Sequence, residues 1–198
     1  PYTLTDDDRT VIGNTTPKFS GGFGLNATFK GFDVSAFFNF MYDFDVFNAN
    51  KVMMTTWASN NYNNFSMDIS AAKRWRNFDD MGNEIRYSPE ILAEFNKNAT
   101  MWNPTSIGRP IAMSYAVEDG SFLRLNTATI GYTLPRAWTN KVGLSRVRFY
   151  ASGYNLFTIT GYSGYDPEVD IATGLTPNID NNRYPRSRTY TFGVQLTF

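Results

Sequence analysis

The sequence has neither cysteine nor histidine. Disulfides, thiol chemistry, histidine-based triads and the common His/Cys zinc sites are thereby excluded. It has no surplus of charge: 18 Lys+Arg balance 18 Asp+Glu. Nucleic-acid binding, which draws on a basic excess, therefore has no support. No run approaches the roughly 20 apolar residues of a membrane helix, and Pro1 opens no recognisable signal peptide. A phosphate-binding glycine loop is also missing, because Gly21-Gly22-Phe23-Gly24 sits inside an alternating run and precedes no helix. Carboxylates occur in pairs, but nothing gathers them into a cleft. Neither an enzyme nor a bound cofactor is expected.

Aromatic side chains are abundant instead. They make up 17% of the residues, yet the mean hydropathy is −0.36. Many rings without long apolar runs is the signature of alternation across a wall, with one face toward lipid and the other toward water. Between 18 and 29 the odd positions are Phe19, Gly21, Phe23, Leu25, Ala27 and Phe29, and the even ones are polar or glycine. Lys30-Gly31 then offers a two-residue turn. The returning run places Phe32, Val34, Ala36, Phe38, Phe40 and Tyr42 on one face. A single register satisfies both faces. It pairs Phe23 with Phe38 and Thr28 with Asp33, and it sets Gly21 and Gly24 opposite Phe40 and Phe37. A one-residue slip would invert both faces.

Three further strands follow by the same test. Ala128, Ile130, Tyr132 and Leu134 share a face. So do Val147, Phe149, Ala151, Gly153 and Phe157, and so do Tyr190, Phe192, Val194, Leu196 and Phe198. Leu123 and Leu125 fall in the opposite phase, which calls for a bulge near Asn126 or an entry outside the lipid zone. Connections alternate short (30–31, 135–146) and long (47–120, 158–188), as in outer-membrane barrels with short periplasmic turns and long extracellular loops. The fold class is therefore all-β: a transmembrane antiparallel β-barrel of which these are the last five or so strands. Five strands cannot close a barrel, so a larger one is expected, with membrane lipid against its apolar face. A secreted or surface sugar-binding β-domain without transport activity is the alternative that also alternates.

Within 47–120, helices are expected at 66–76 and 89–98. Its aromatic residues Trp57, Tyr62, Trp75 and Trp102 are candidates for contact with a partner. Within 158–188, Tyr162, Tyr165, Asp166 and Tyr184 are candidates for ligand contact, because rings suit sugar faces and carboxylates accept hydroxyl hydrogen bonds. Asp166, Glu168 and Asp170 have a spacing that could hold Ca²⁺, although alternating acids in a loop are more often simply solvated.

Several motifs occur in a fixed order. They are Arg9-Thr10-Val11-Ile12-Gly13-Asn14, Asp119-Gly120-Ser121-Phe122-Leu123-Arg124-Leu125, Ile130-Gly131-Tyr132-Thr133-Leu134-Pro135, Gly153-Tyr154-Asn155-Leu156-Phe157-Thr158, Gly164-Tyr165-Asp166-Pro167-Glu168-Val169 and Tyr184-Pro185-Arg186-Ser187-Arg188. Together they resemble the C-terminal region of SusC/RagA-type TonB-dependent outer-membrane transporters. Thr191, Gly193, Leu196 and Phe198 look like the barrel-assembly signal of outer-membrane proteins, which is read by the barrel-assembly machinery. The resemblance implies a barrel of about 22 strands enclosing an N-terminal plug that is absent from these residues. It implies TonB coupling through a missing N-terminal segment, a SusD-like lipoprotein cap, and a glycan or peptide substrate.

Overall fold

A computed structural model describes Asp7 and residues 9–57, 64–105, 111–169 and 178–198. The chain divides into two compact units: Pro1–Val46 with Glu118–Phe198, and Phe47–Val117. The strands are β1 (Phe19–Phe29), β2 (Phe32–Tyr42), β3 (Asp45–Asn48), β4 (Val117–Asp119), β5 (Phe122–Thr133), β6 (Arg146–Thr160), β7 (Ile179–Asp180) and β8 (Thr189–Thr197). The helices are α1 (Ala49–Thr55), α2 (Pro89–Asn96) and α3 (Arg136–Thr139). Five strands form one sheet in the order β1-β2-β5-β6-β8, and three short ones form another, β4-β3-β7.

The large sheet is antiparallel throughout, and each strand is hydrogen-bonded to its sequence neighbour within the sheet. The first hairpin has the register that alternation demands: Phe19 faces Tyr42, Phe23 faces Phe38 and Thr28 faces Asp33. Lys30 and Gly31 both have positive φ, 46° and 90°. That is the primed turn whose twist matches the flanking strands. A Cβ on Gly31 would also stand 2.8 Å from the Thr133 carbonyl oxygen, so glycine is needed there on two counts. Strands of 11 residues match the roughly 9–11 required for a tilted crossing.

The phase conflict at Leu123 and Leu125 resolves as a bulge. On β2, Phe37 pairs with Thr127 and Phe38 with Leu125, leaving Asn126 as the extra residue. The β5–β6 ladder shifts at the same place, where Asn155 takes a φ of 53°. The bulge turns Leu123 and Leu125 back onto the apolar face and puts Arg124 on the polar one. The apolar face carries stacked rings, with Phe23 on Phe38 at 5.0 Å and Phe32 against Tyr132 at 4.5 Å. A small buried cluster (Phe44, Val46, Phe122, Tyr162 and Val169) closes one end of this unit.

The Phe47–Val117 unit departs from expectation in two elements. The helix expected at 66–76 is absent; a single 3-10 turn, Met67–Ile69, stands there. The Ser66 hydroxyl accepts from the Asp68 N–H, a local bond that competes with helix propagation. Trp75 N–H is drawn off to the Met101 carbonyl at 2.7 Å, and Arg74 bridges Met101. The second expected helix is α2, with Pro89 in its first turn. Helix α1, capped by Asn48 over Lys51 N–H, was not anticipated from periodicity.

Candidate functional site

Three groupings of side chains stand out from the wall. The first is on the polar face of the sheet. Arg148 forms a two-pronged pair with Asp33, Nε to Oδ1 at 2.9 Å and Nη2 to Oδ2 at 2.5 Å. The pair spans from β6 to β2 across β5. It passes over Gly131, where a Cβ would lie 2.5 Å from Arg148 Nη2 and 2.7 Å from Asp33 Oδ1. Any larger residue at 131 would displace the pair. Thr129 and Ser152 hydroxyls bond at 2.8 Å on the same face. These residues make one face polar and cross-linked while the other stays apolar, as a wall between water and lipid requires.

The second grouping is a clasp at the start of the segment after β6. Arg124 is 2% exposed. Its Nη2 donates to Asp166 Oδ1 at 2.5 Å, and its Nη1 lies 3.2 Å from Glu168 Oε2. That Oε2 makes no aligned hydrogen bond, so the second contact acts through charge. Arg186 reaches Glu168 Oε1 at 3.3 Å, and its backbone N–H points to Asp166 Oδ2 at 3.4 Å. Burial by itself would push the Asp166 carboxyl up. The Arg124 hydrogen bond, the Glu168 N–H, the Arg124 charge and the Arg186 N–H outweigh it and hold the group below the usual carboxylate range. Tyr162 is also buried and donates to Asp180 at 2.6 Å. Burial and that carboxylate push its phenol upward, so it stays protonated.

The expected ligand residues therefore separate. Tyr162 and Asp166 are built into the fold, whereas Tyr165 is 84% and Tyr184 93% exposed. Asp166 and Glu168 are engaged by guanidinium groups, so a cation there would have to displace Arg124 and Arg186; Asp170 lies outside the described residues. Sequence reasoning missed both the Arg124 clasp and the Asp33–Arg148 pair. The only available signal was an arginine at an inward-facing position of a strand.

The third grouping is a cleft of about 390 Å³ within the Phe47–Val117 unit, lined by Trp57, Phe65, Arg74, Trp75, Phe78 and Asn103 among others. Trp57 and Trp75, two of the expected partner-contact residues, share this cleft. Trp102 does not: its ring meets Tyr115 edge-on at 5.1 Å, and its indole N–H donates to the Thr55 carbonyl at 3.0 Å. Tyr62 lies outside the described residues. Tyr115 in turn donates to Asp68 at 3.1 Å, and this bond together with the Ser66 hydroxyl lowers the Asp68 pKa. Asn96 ties α2 inward by accepting from Arg76 N–H at 2.6 Å and donating to the Arg76 and Leu92 carbonyls.

The sheet, with its two unlike faces and alternating short and long connections, defines a wall segment of an antiparallel membrane β-barrel. No family model matches the chain. It is 32% identical over 201 residues to TonB-dependent receptor P3 of Formosa agariphila, and 32% identical over 164 residues to TonB-dependent receptor SusC of Bacteroides thetaiotaomicron. The matches take in 98% and 76% of this chain but 18% and 15% of those receptors. The chain thus spans less than a fifth of the length of the curated relatives it matches. Among solved structures, a chain of the RagAB peptide importer in its closed-closed state superposes with a TM-score of 0.74 at 25% identity, covering 99% of this chain and 19% of that one. The chain belongs to the SusC/RagA type of TonB-dependent receptor, and its sheet is part of that barrel's wall.

Proposed function

We propose that this chain is the C-terminal wall of an outer-membrane importer. That importer moves glycans or peptides into the periplasm of a Gram-negative cell, driven through TonB and capped by a SusD-like lipoprotein. The observation that supports this reading best is the single register in which one face of the sheet is apolar and the other is braced by Asp33–Arg148 and Thr129–Ser152. Its relatives are receptors and an importer, and the wall itself performs no chemistry. TonB would engage a segment outside these residues. Thr191, Gly193, Leu196 and Phe198 would present the strand to the assembly machinery.

In this reading both long connections are outside the cell. Exposed Tyr165 and Tyr184 contribute to the chamber mouth. The Phe47–Val117 unit meets the lipoprotein through apolar side chains that its own packing leaves in solvent, including Met67, Met81 and Tyr87. Uptake of a labelled substrate by cells should then depend on TonB, and Tyr165→Ala should reduce it severalfold while the lipoprotein still co-purifies. TonB-independent uptake would overturn the import reading.

The same topology makes a second test. A cysteine at exposed Asn64 should react with a membrane-impermeant maleimide on whole cells, and one at exposed Asn140, beside α3, should react only after lysis. The reverse pattern would invert the barrel.

A further inference from the structure

The cleft in the Phe47–Val117 unit is lined by four partly open rings: Trp57 is 46%, Phe65 37%, Trp75 40% and Phe78 48% exposed. Its volume of about 390 Å³ falls in the range of small-ligand sites, about 300–1,000 Å³. The backbone beneath the tryptophans is anchored, with Trp57 N–H on the Pro104 carbonyl at 2.9 Å and Trp75 N–H on the Met101 carbonyl at 2.7 Å. The main chain under both rings is thus held by one short segment, residues 101–104.

The charges around the cleft are not equivalent. Arg76 is committed: it pairs with Asp80 at 2.5 Å and lies over the Phe95 ring. Asp79 is committed too, wrapped by Met81 N–H, Asn83 N–H and the Asn83 amide. Arg74 is half-buried on the same wall, and among the described residues its guanidinium has neither a carboxylate nor a hydrogen-bond partner. The unit's undescribed residues, 58–63 and 106–110, contain no carboxylate that could supply one. Asn77 and the amide NH₂ of Asn103 line the cleft and are likewise uncommitted among the described residues. The wall therefore offers flat apolar faces, several hydrogen-bond donors and one uncompensated positive charge.

We infer that this cleft is a binding site for an anionic sugar ring, one whose hexose face stacks on Trp57 or Trp75 while its carboxylate or sulfate pairs with Arg74. Ring C–H faces suit indoles, and a guanidinium pairs with either oxyanion in the same forked geometry. A sugar hydroxyl can turn to accept, whereas the backbone N–H groups of an extended peptide can only donate, and the uncommitted groups on this wall are mostly donors. The inference rests on the import reading and narrows its substrate class.

The test is calorimetry on the full-length receptor in detergent, with three oligosaccharides of equal length: neutral, uronate-bearing and sulfated. The unmodified receptor should bind one or both anionic probes at least about tenfold more tightly than the neutral one, the scale of one charge-assisted hydrogen bond. Arg74→Gln should bring the anionic probes down to the neutral affinity, Arg74→Lys should retain part of the preference, and Trp75→Ala should weaken all three. Gel mobility before and after heating shows that each variant is folded. Equal binding of neutral and anionic probes overturns the assignment, as does an unchanged preference in Arg74→Gln or tighter Trp75-dependent binding of an acidic peptide. Binding without TonB-dependent uptake would instead sink the import reading and leave the cleft assignment standing.

Discussion

Val194→Arg should strongly destabilise the assembled barrel, whereas Gln195→Arg should do so far less. The two positions are adjacent on β8 but point to opposite faces. Val194 pairs with Phe149 on the apolar face, and Gln195 pairs with Arg148 on the polar one. An arginine facing lipid near the midplane costs about 2–4 kcal/mol. An arginine at 195 meets the like charge of Arg148 across the ladder, a penalty of at most about 1 kcal/mol that water in the lumen further screens. Thr191→Arg, opposite Ser152, is the cleaner control and should be close to neutral. Urea titration of folded receptor in detergent or lipid, read by heat-modifiable gel mobility, separates the three. Equal midpoints for Val194→Arg and Thr191→Arg would mean that neither faces lipid, and a lower midpoint for Thr191→Arg would mean that the faces are assigned the wrong way round.

Arg124→Ala is expected to have a comparable effect by a different route. It leaves Asp166 and Glu168 buried without their shared counter-charge. Removing one partner of a buried ion pair costs about 3–5 kcal/mol, far more than the pair contributes relative to an apolar replacement. The segment carrying both carboxylates should detach, so residues 161–169 should become cleavable by protease while the strands stay protected. Adding Asp166→Asn and Glu168→Gln to Arg124→Ala should recover much of the loss, because the stranded charges are then gone. Acid should act in the same direction as the arginine deletion. The Asp166 carboxyl is held below its ordinary value of 3.8, so its contribution is complete above that pH and is lost as pH falls through the lower folded value. Proteolysis of the unmodified segment at neutral pH that matched the variant's would show that the clasp holds nothing.

The contrast between these two residues marks how far sequence reasoning reaches. The orientation of Val194 was legible, because the side-chain period of a strand is two and a lipid-facing row must be apolar along its whole length. The register of the first hairpin was legible for the same reason, together with a turn whose second residue is glycine. The bulge at Asn126 showed as a phase error between Leu125 and Ala128. The role of Arg124 was not legible. Its partners lie 42 and 44 positions further along the chain, and nothing local to Phe122-Leu123-Arg124-Leu125 indicates which carboxylates fold back onto it. Asp166 read equally well as a ligand residue, a cation ligand or a solvated loop acid until its burial was known. The helix expected at 66–76 failed in the same way. Its apolar spacing was adequate, but Met101 captured the Trp75 N–H that the helix needed. Periodic features answer to a boundary between two solvents that acts on every residue of a strand, so the sequence by itself determined the wall, its faces and the family resemblance. Pairings between distant segments depend on loop paths that leave no period behind. Only the tertiary structure decided the Arg124 clasp, the Asp33–Arg148 brace over Gly131, and the cleft that gathers Trp57, Arg74 and Trp75.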